Sequence, residues 1–182
     1  GVAMGITGTD VSKEAADMIL TDDNFASIVR AVAEGRTIYS NIRKVVGFLL
    51  SCNIGEILVI LLAMLGNLPV PLAAIQLLSI NLITDAFPAF ALGMEKEEPG
   101  VMERKPRDPA EPIVNRKMAV AVIIQSFALA AGTLGSFIYG LYVHDSLDVA
   151  RSAAFFTIVL GELLRAYSAR SETTSIFRLK VF

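Results

Sequence analysis

Apolar and polar positions along the chain fall into two regimes that meet near residue 36. Before it, short apolar runs alternate with polar turns. Val2–Met4, closed by Gly5, reads as a buried strand, and Met18–Leu20, ended by the polar turn TDDN, as another. Thr9 or Asp10 is placed to cap a helix over about 11–17. Asn24 is placed to cap a longer one over 25–34, with Ile28, Val29 and Val32 on one face. After residue 36 the apolar runs lengthen. Residues 45–65 are nearly all apolar, close to the ~20 residues a bilayer-crossing helix needs. Four spans follow from this pattern, at about 40–65, 72–94, 118–143 and 149–168. The turn GNLPVP separates the first two, a charged Pro-rich loop (95–117) the next two, and HDSLD the last two. Gly132, Gly135 and Gly140 would let the third span approach a neighbour closely. A polar tail, 169–182, closes the chain.

The pattern predicts a mostly α fold, a polytopic transmembrane helix bundle preceded by a small α/β piece over 1–36. Composition agrees: 54% of the 182 residues are hydrophobic, above the ~45–50% of soluble domains. The net charge of -2, without a basic run, gives no sign of a nucleic-acid partner. The single cysteine, Cys52, excludes a disulfide framework and reads as a small buried residue. Lys and Arg set the orientation. The turns at 66–71 and 144–148 hold none. Arg36, Arg43, Lys44, Lys96, Arg104, Lys105, Arg107, Arg116, Lys117, Arg170, Arg178 and Lys180 all fall on the other side. Segments 1–36, 95–117 and 169–182 are therefore expected in the cytoplasm, and Arg151 is the one basic residue near the outer side. No signal peptide is recognisable in GVAMGITGTD, and the abrupt, Met-less start suggests a piece of a longer protein.

Three spans carry polar groups at depth. Asn53 and Glu56 lie i,i+3 on one helix face. Asn81, Thr84 and Asp85 share a face of the second span, and Glu162 lies in the fourth, one turn before Arg165. A charge at mid-bilayer costs at least ~2.5–3.5 kcal/mol, so the acids must face one another or a cavity. Together they repel unless protons or a cation neutralise them. Carboxylates, amides and a hydroxyl are hard oxygen donors, which suit Ca²⁺, Mg²⁺ or Mn²⁺. Pro88 removes the bond to the Thr84 carbonyl, so the second span is expected to break there and expose carbonyls beside Asp85. The competing use of such residues is hydrogen bonding between helices, the reading that fits Gln125 best. His144 reads as a solvated turn residue.

Several stretches carry a family resemblance. GVAMGITGTDVSKEAADMILTDDNFASIVRAVAEGR resembles the end of the Rossmann-like phosphorylation domain of P-type cation-transporting ATPases. NIGEI (53–57), QLLSINLITDAFPAFALG (76–93), MERKPRDP (102–109) and SETTSIFRL (171–179) resemble that family's later segments, in order. The match is best to calcium pumps of the sarcoplasmic-reticulum type. It implies a transported Ca²⁺ held by Asn53, Glu56, Asn81, Thr84, Asp85 and Glu162, in two sites bridged by Asp85. Sodium/potassium pumps usually place Asp where Asn81 stands. Secretory-pathway and plasma-membrane calcium pumps usually lack the acid at Glu56 and carry Met at the Thr84 position. Arg165 departs from the family's small polar residue, and a guanidinium near Glu162 would fill one site and leave one ion.

The resemblance further implies ATP and Mg²⁺ bound outside this chain. The phosphorylated Asp of DKTGT and the GDGxNDxP motif are absent from it, so no catalytic residue is expected here. Expected partners are the bilayer and the remaining domains of the pump, with no obligate subunit. The short outer turns suggest a bacterial plasma membrane. The alternatives are the same pump class for Na⁺/K⁺, H⁺ or Mn²⁺, or a truncated, non-catalytic membrane module.

Overall fold

A computed structural model describes residues 1–103, 105–106 and 111–170. The expectations for SETTSIFRL and for much of MERKPRDP lie outside the described residues. The chain forms two compact units, Gly1–Ser40 with Lys96–Pro106, and Asn41–Glu95 with Arg107–Phe182.

The first unit opens with two parallel strands, β1 (Val2–Met4) and β2 (Met18–Leu20), in register Val2↔Met18 to Met4↔Leu20. Between them lies α1 (Asp10–Glu14), capped by the Thr9 hydroxyl, which accepts from Ser12 N at 3.3 Å. This helix is shorter than the expected 11–17, because the amides of Asp17 and Met18 already bond to Gly1 O and commit the chain to β2. Asp23, at φ 48°, accepts from Ile6 N (2.9 Å) and from both Thr7 N (2.8 Å) and Thr7 Oγ1 (2.7 Å). Arg36 Nη1 donates to Val101 O at 2.9 Å, tying the segment 96–106 into this unit.

Asn24 Oδ1 accepts from Ala26 N at 2.9 Å at the start of α2. This helix runs without interruption through Ala26–Leu65. The expected helix at 25–34 and the first span are therefore one element. No proline intervenes, and Gly35 alone costs only ~1 kcal/mol of helix propensity.

The second unit is a helix bundle. After α2 come α3 (Ala74–Ser79), a π-helical segment (Ile80–Asp85) and α4 (Ala86–Gly93), then α5 (Arg116–Val143) and α6 (Leu147–Ala169). Asn115 and Ser146 cap α5 and α6. The fold is mostly α. Among the described residues three helices are long and apolar enough to cross a membrane: Ala26–Leu65, Ala74–Gly93 and Arg116–Val143. The fourth, α6, has 23 residues but carries Asp148, Arg151, Glu162 and Arg165.

Two apolar clusters hold the bundle. One joins Val59, Leu72, Ile80, Ala130, Phe137, Ala150, Ala154 and Ile158; the other joins Phe48, Cys52, Leu92, Ala166 and Ala169. Large apolar side chains such as Ile57, Leu82, Phe87, Phe90, Ile124 and Leu164 point outward, as a lipid-facing surface requires. Of the three glycines expected at a helix contact, only Gly140 fits that role closely. A Cβ there would lie 2.6 Å from Ala150 Cα, whereas Gly132 has ordinary clearance and Gly135 faces open space. Gly55 and Gly161 do similar work unforeseen, since both leave room for Leu129.

The second span is not broken at Pro88. The proline lies in the first turn of α4, and the helix widens to a π turn before it instead of opening. A π segment accommodates a missing donor while keeping the chain helical, and such segments often occur at functional sites.

Candidate cation site

The π segment buries Thr84 and Asp85 and turns them inward from the second span. From α6, Glu162 is fully buried; from α2, Glu56 is buried and Asn53 half-buried. Helical spacing explains the placement: residues 52, 53 and 56 lie on adjoining faces of α2.

The six predicted residues form two groups. In one, the Asn81 amide donates to Glu56 Oε1 (3.1 Å) and Oε2 (2.9 Å) and to Leu77 O (3.0 Å). Asn81 is itself exposed. In the other group, Asp85 and Glu162 each bring a carboxylate oxygen within 4.8 Å of the other and of Cys52 Sγ. Asn53 Nδ2 makes a long contact of 3.4 Å to Asp85 Oδ2 and a shorter bond to Leu49 O at 2.8 Å. The Thr84 hydroxyl donates to Ile80 O at 2.8 Å. Glu56 is not part of the Cys52–Asp85–Glu162 cluster.

Asp85 Oδ1 and both oxygens of Glu162 are buried without a hydrogen-bond partner among the described residues. Buried polar atoms are almost always bonded, and a buried unpaired carboxylate is among the costliest groups a protein can hold. Such oxygens, on two carboxylates that approach within 4.8 Å, require a proton or a cation there. Their hardness fits Ca²⁺, Mg²⁺ or Mn²⁺.

Arg165 does not pair with Glu162. Its Nε donates to Ser51 Oγ at 3.2 Å and its Nη1 to Ser168 Oγ at 3.3 Å, while Ser51 O accepts from Ser126 Oγ at 2.8 Å. Gln125 does not act as the expected link between helices through its carbonyl, for Oε1 has no partner among the described residues. It lines a cavity of about 360 Å³ together with Ser51, Cys52, Arg165 and Ser168. His144 packs edge-on against Tyr139 at 5.9 Å, at the C-terminal end of α5.

The sequence reads Cys52 as a small buried residue apart from the acids; it is buried, but its sulfur lies within 4.8 Å of Asp85 and Glu162. The signal available was its position one residue before Asn53 and four before Glu56, which puts it on the same side of α2 as both.

Residues 69–182 match the family model described as "Cation transporting ATPase, C-terminus". Over 98% of its length the chain is 49% identical to a calcium-transporting ATPase of Bacillus subtilis. It is 43% identical to calcium-transporting ATPase 1 of Lactococcus lactis over the same share. It is also 41% identical, again over 98%, to the human calcium-transporting ATPase type 2C member 1. The chain spans about a fifth of the length of each of these relatives.

Proposed function

The chain belongs to the cation-transporting ATPases, as their C-terminal region, and on that premise we propose that it holds Ca²⁺ within the membrane for a P-type Ca²⁺-transporting pump. The observation that carries this reading is the set of buried, unpartnered oxygens on Asp85 and Glu162. Asn53, Glu56, Asn81 and Thr84 complete the ligand set. Ca²⁺ takes about 6–8 oxygens in flexible geometry, a number these six side chains approach. The Asn81 amide, which now donates to Glu56, would turn its carbonyl to the ion. That rotation gives up the bonds of the Asn81 amide to Glu56 and frees the Glu56 oxygens for the ion.

The energy for transport comes from ATP and Mg²⁺ bound in the parts of the pump that precede this chain. The uninterrupted helix α2 is the element suited to convey their movement, since it carries Asn53 and Glu56 and begins at Ala26. Protons replace calcium on Glu56, Asp85 and Glu162 after release, which keeps the buried charge low. The membrane is a bacterial plasma membrane, with 1–36, 95–117 and 169–182 on the cytoplasmic side; α6 is the fourth span, its polar groups turned into the bundle.

The test is Asp85→Asn in the full-length pump. Replacing the bridging carboxylate by an amide is expected to raise the Ca²⁺ needed for phosphoenzyme formation by a factor of ten or more, about 1.4 kcal/mol per decade. Normal calcium dependence in that variant would refute the assignment. ATPase activation by Ca²⁺, Mn²⁺, Na⁺ and K⁺ in turn separates this reading from the same pump class carrying another ion.

A further inference from the structure

We infer that Cys52 makes the acid cluster a mixed sulfur–oxygen site, which takes a thiophilic divalent cation of the Cd²⁺ or Zn²⁺ class in competition with the hard cation. The inference rests on the reading of Asp85 and Glu162 as cation ligands.

Cys52 comes from α2, Asp85 from the end of the π segment and Glu162 from α6, so three elements converge on one point. One ligand atom from each lies within 4.8 Å of the other two, and all three residues are buried. Tetrahedral zinc-type bonds of about 2.3 Å to sulfur and 2.0–2.2 Å to oxygen span ligand pairs about 3.5 Å apart, so the three groups would draw together around a bound ion. Independent of the sulfur, Asp85 Oδ1 and both Glu162 oxygens are unpartnered, and these residues are 3% and 0% exposed. The cluster thus offers unsatisfied anionic acceptors and a sulfur on the same locus. Cys52 packs among Phe48, Leu92 and Ala166 on one side and lines the cavity of about 360 Å³ beside Arg165 on the other, a route by which an ion reaches it.

The chemistry separates two classes of ion. Soft sulfur adds little for Ca²⁺, which binds oxygen, and much for ions that bind thiolate. On binding, the thiol gives up its proton to solvent and the thiolate forms the metal–sulfur bond; a proton held by Asp85 or Glu162 in the ion-free site leaves with it. A serine at position 52 would supply oxygen only. The Cys52 sulfur therefore sets the preference between cation classes, while the carboxylates set the charge.

The experiment uses the full-length pump, purified in detergent with its nucleotide domains intact. Bound Ca²⁺ is measured at equilibrium while Cd²⁺ is added, and the thiolate-to-cadmium charge-transfer band is followed in the ultraviolet. The wild type is expected to lose bound Ca²⁺ as the band grows. In Cys52→Ser the band is expected to vanish and the Cd²⁺-over-Ca²⁺ affinity ratio to fall about tenfold or more. Cys52→Ala serves as the second variant, and the wild-type band is read without any variant. Calcium binding with no band, or a band and ratio that persist in both variants, overturns the inference and leaves the calcium reading standing. A Cys52-dependent band in a pump that binds no Ca²⁺ supports the sulfur site and overturns the calcium reading. Failure of both ions to bind overturns both.

Discussion

A carboxylate with both oxygens buried and unpartnered, as Glu162 has, is stable only when protonated or beside a cation. Glu162→Gln removes that conflict while keeping the side chain's shape. In the full-length pump it should therefore raise the calcium-free thermal midpoint and shrink the further rise on adding Ca²⁺. Differential scanning fluorimetry with and without Ca²⁺ reads both effects; a calcium-dependent rise as large as in the wild type would exclude Glu162 as a ligand. Arg165 decides a second question at this scale. With its guanidinium bonded to Ser51 and Ser168, it leaves Glu162 to an ion instead of replacing one. Two Ca²⁺ per phosphoenzyme is the expected stoichiometry, and a measured value of one would restore Arg165 as a built-in cation.

The elements matter through their close approaches. α5 and α6 meet where Gly140 faces the backbone of Ala150, and a Cβ there would come within 2.6 Å of Ala150 Cα. Backbone cannot rotate aside as a side chain can. Gly140→Ala should destabilise the pump by about 1–3 kcal/mol, the usual range for overpacking. Gly135→Ala, where nothing lies within 4 Å, should be near neutral. Thermal inactivation of the pair checks the contrast, and equal effects would mean that the two helices do not pack at Gly140. The π segment shows the same economy of means. Pro88 withholds one donor, and the preceding turn widens over Ile80–Asp85, which buries Thr84 and Asp85 together.

At the scale of the whole molecule the first unit carries an acid-sensitive contact of its own. There the Ile6 amide foremost, with Thr7, holds the Asp23 carboxyl at a pKa of about 2, below its usual 3.8. A depressed carboxylate stabilises the fold above its unfolded value and loses that contribution as pH falls from about 3.8 through about 2. Amide exchange at Ile6 and Thr7, relative to its intrinsic rate, should accelerate as pH falls across that window in the wild type. In Asp23→Asn, which tolerates the positive φ and does not titrate, protection of these amides relative to the intrinsic exchange rate should be weaker and should not change across the window; wild-type protection that does not fall there would refute the contact. Much of this architecture was legible beforehand. Apolar stretches of the right length marked the long helices, the caps at Thr9 and Asn24 followed from residue type, and i,i+3 and i,i+4 spacing grouped Asn53 with Glu56 and Asn81 with Thr84 and Asp85. These features depend on near neighbours in the chain, so the sequence by itself determined them. Only the tertiary structure decided that Cys52 meets Asp85 and Glu162, that Arg165 turns to Ser51, that Asn81 donates to Glu56, and that Gly140 alone of its three glycines touches backbone. Each depends on how far one helix is rotated and how closely it approaches another. That is set by the packing of the whole bundle, and no local pattern encodes it.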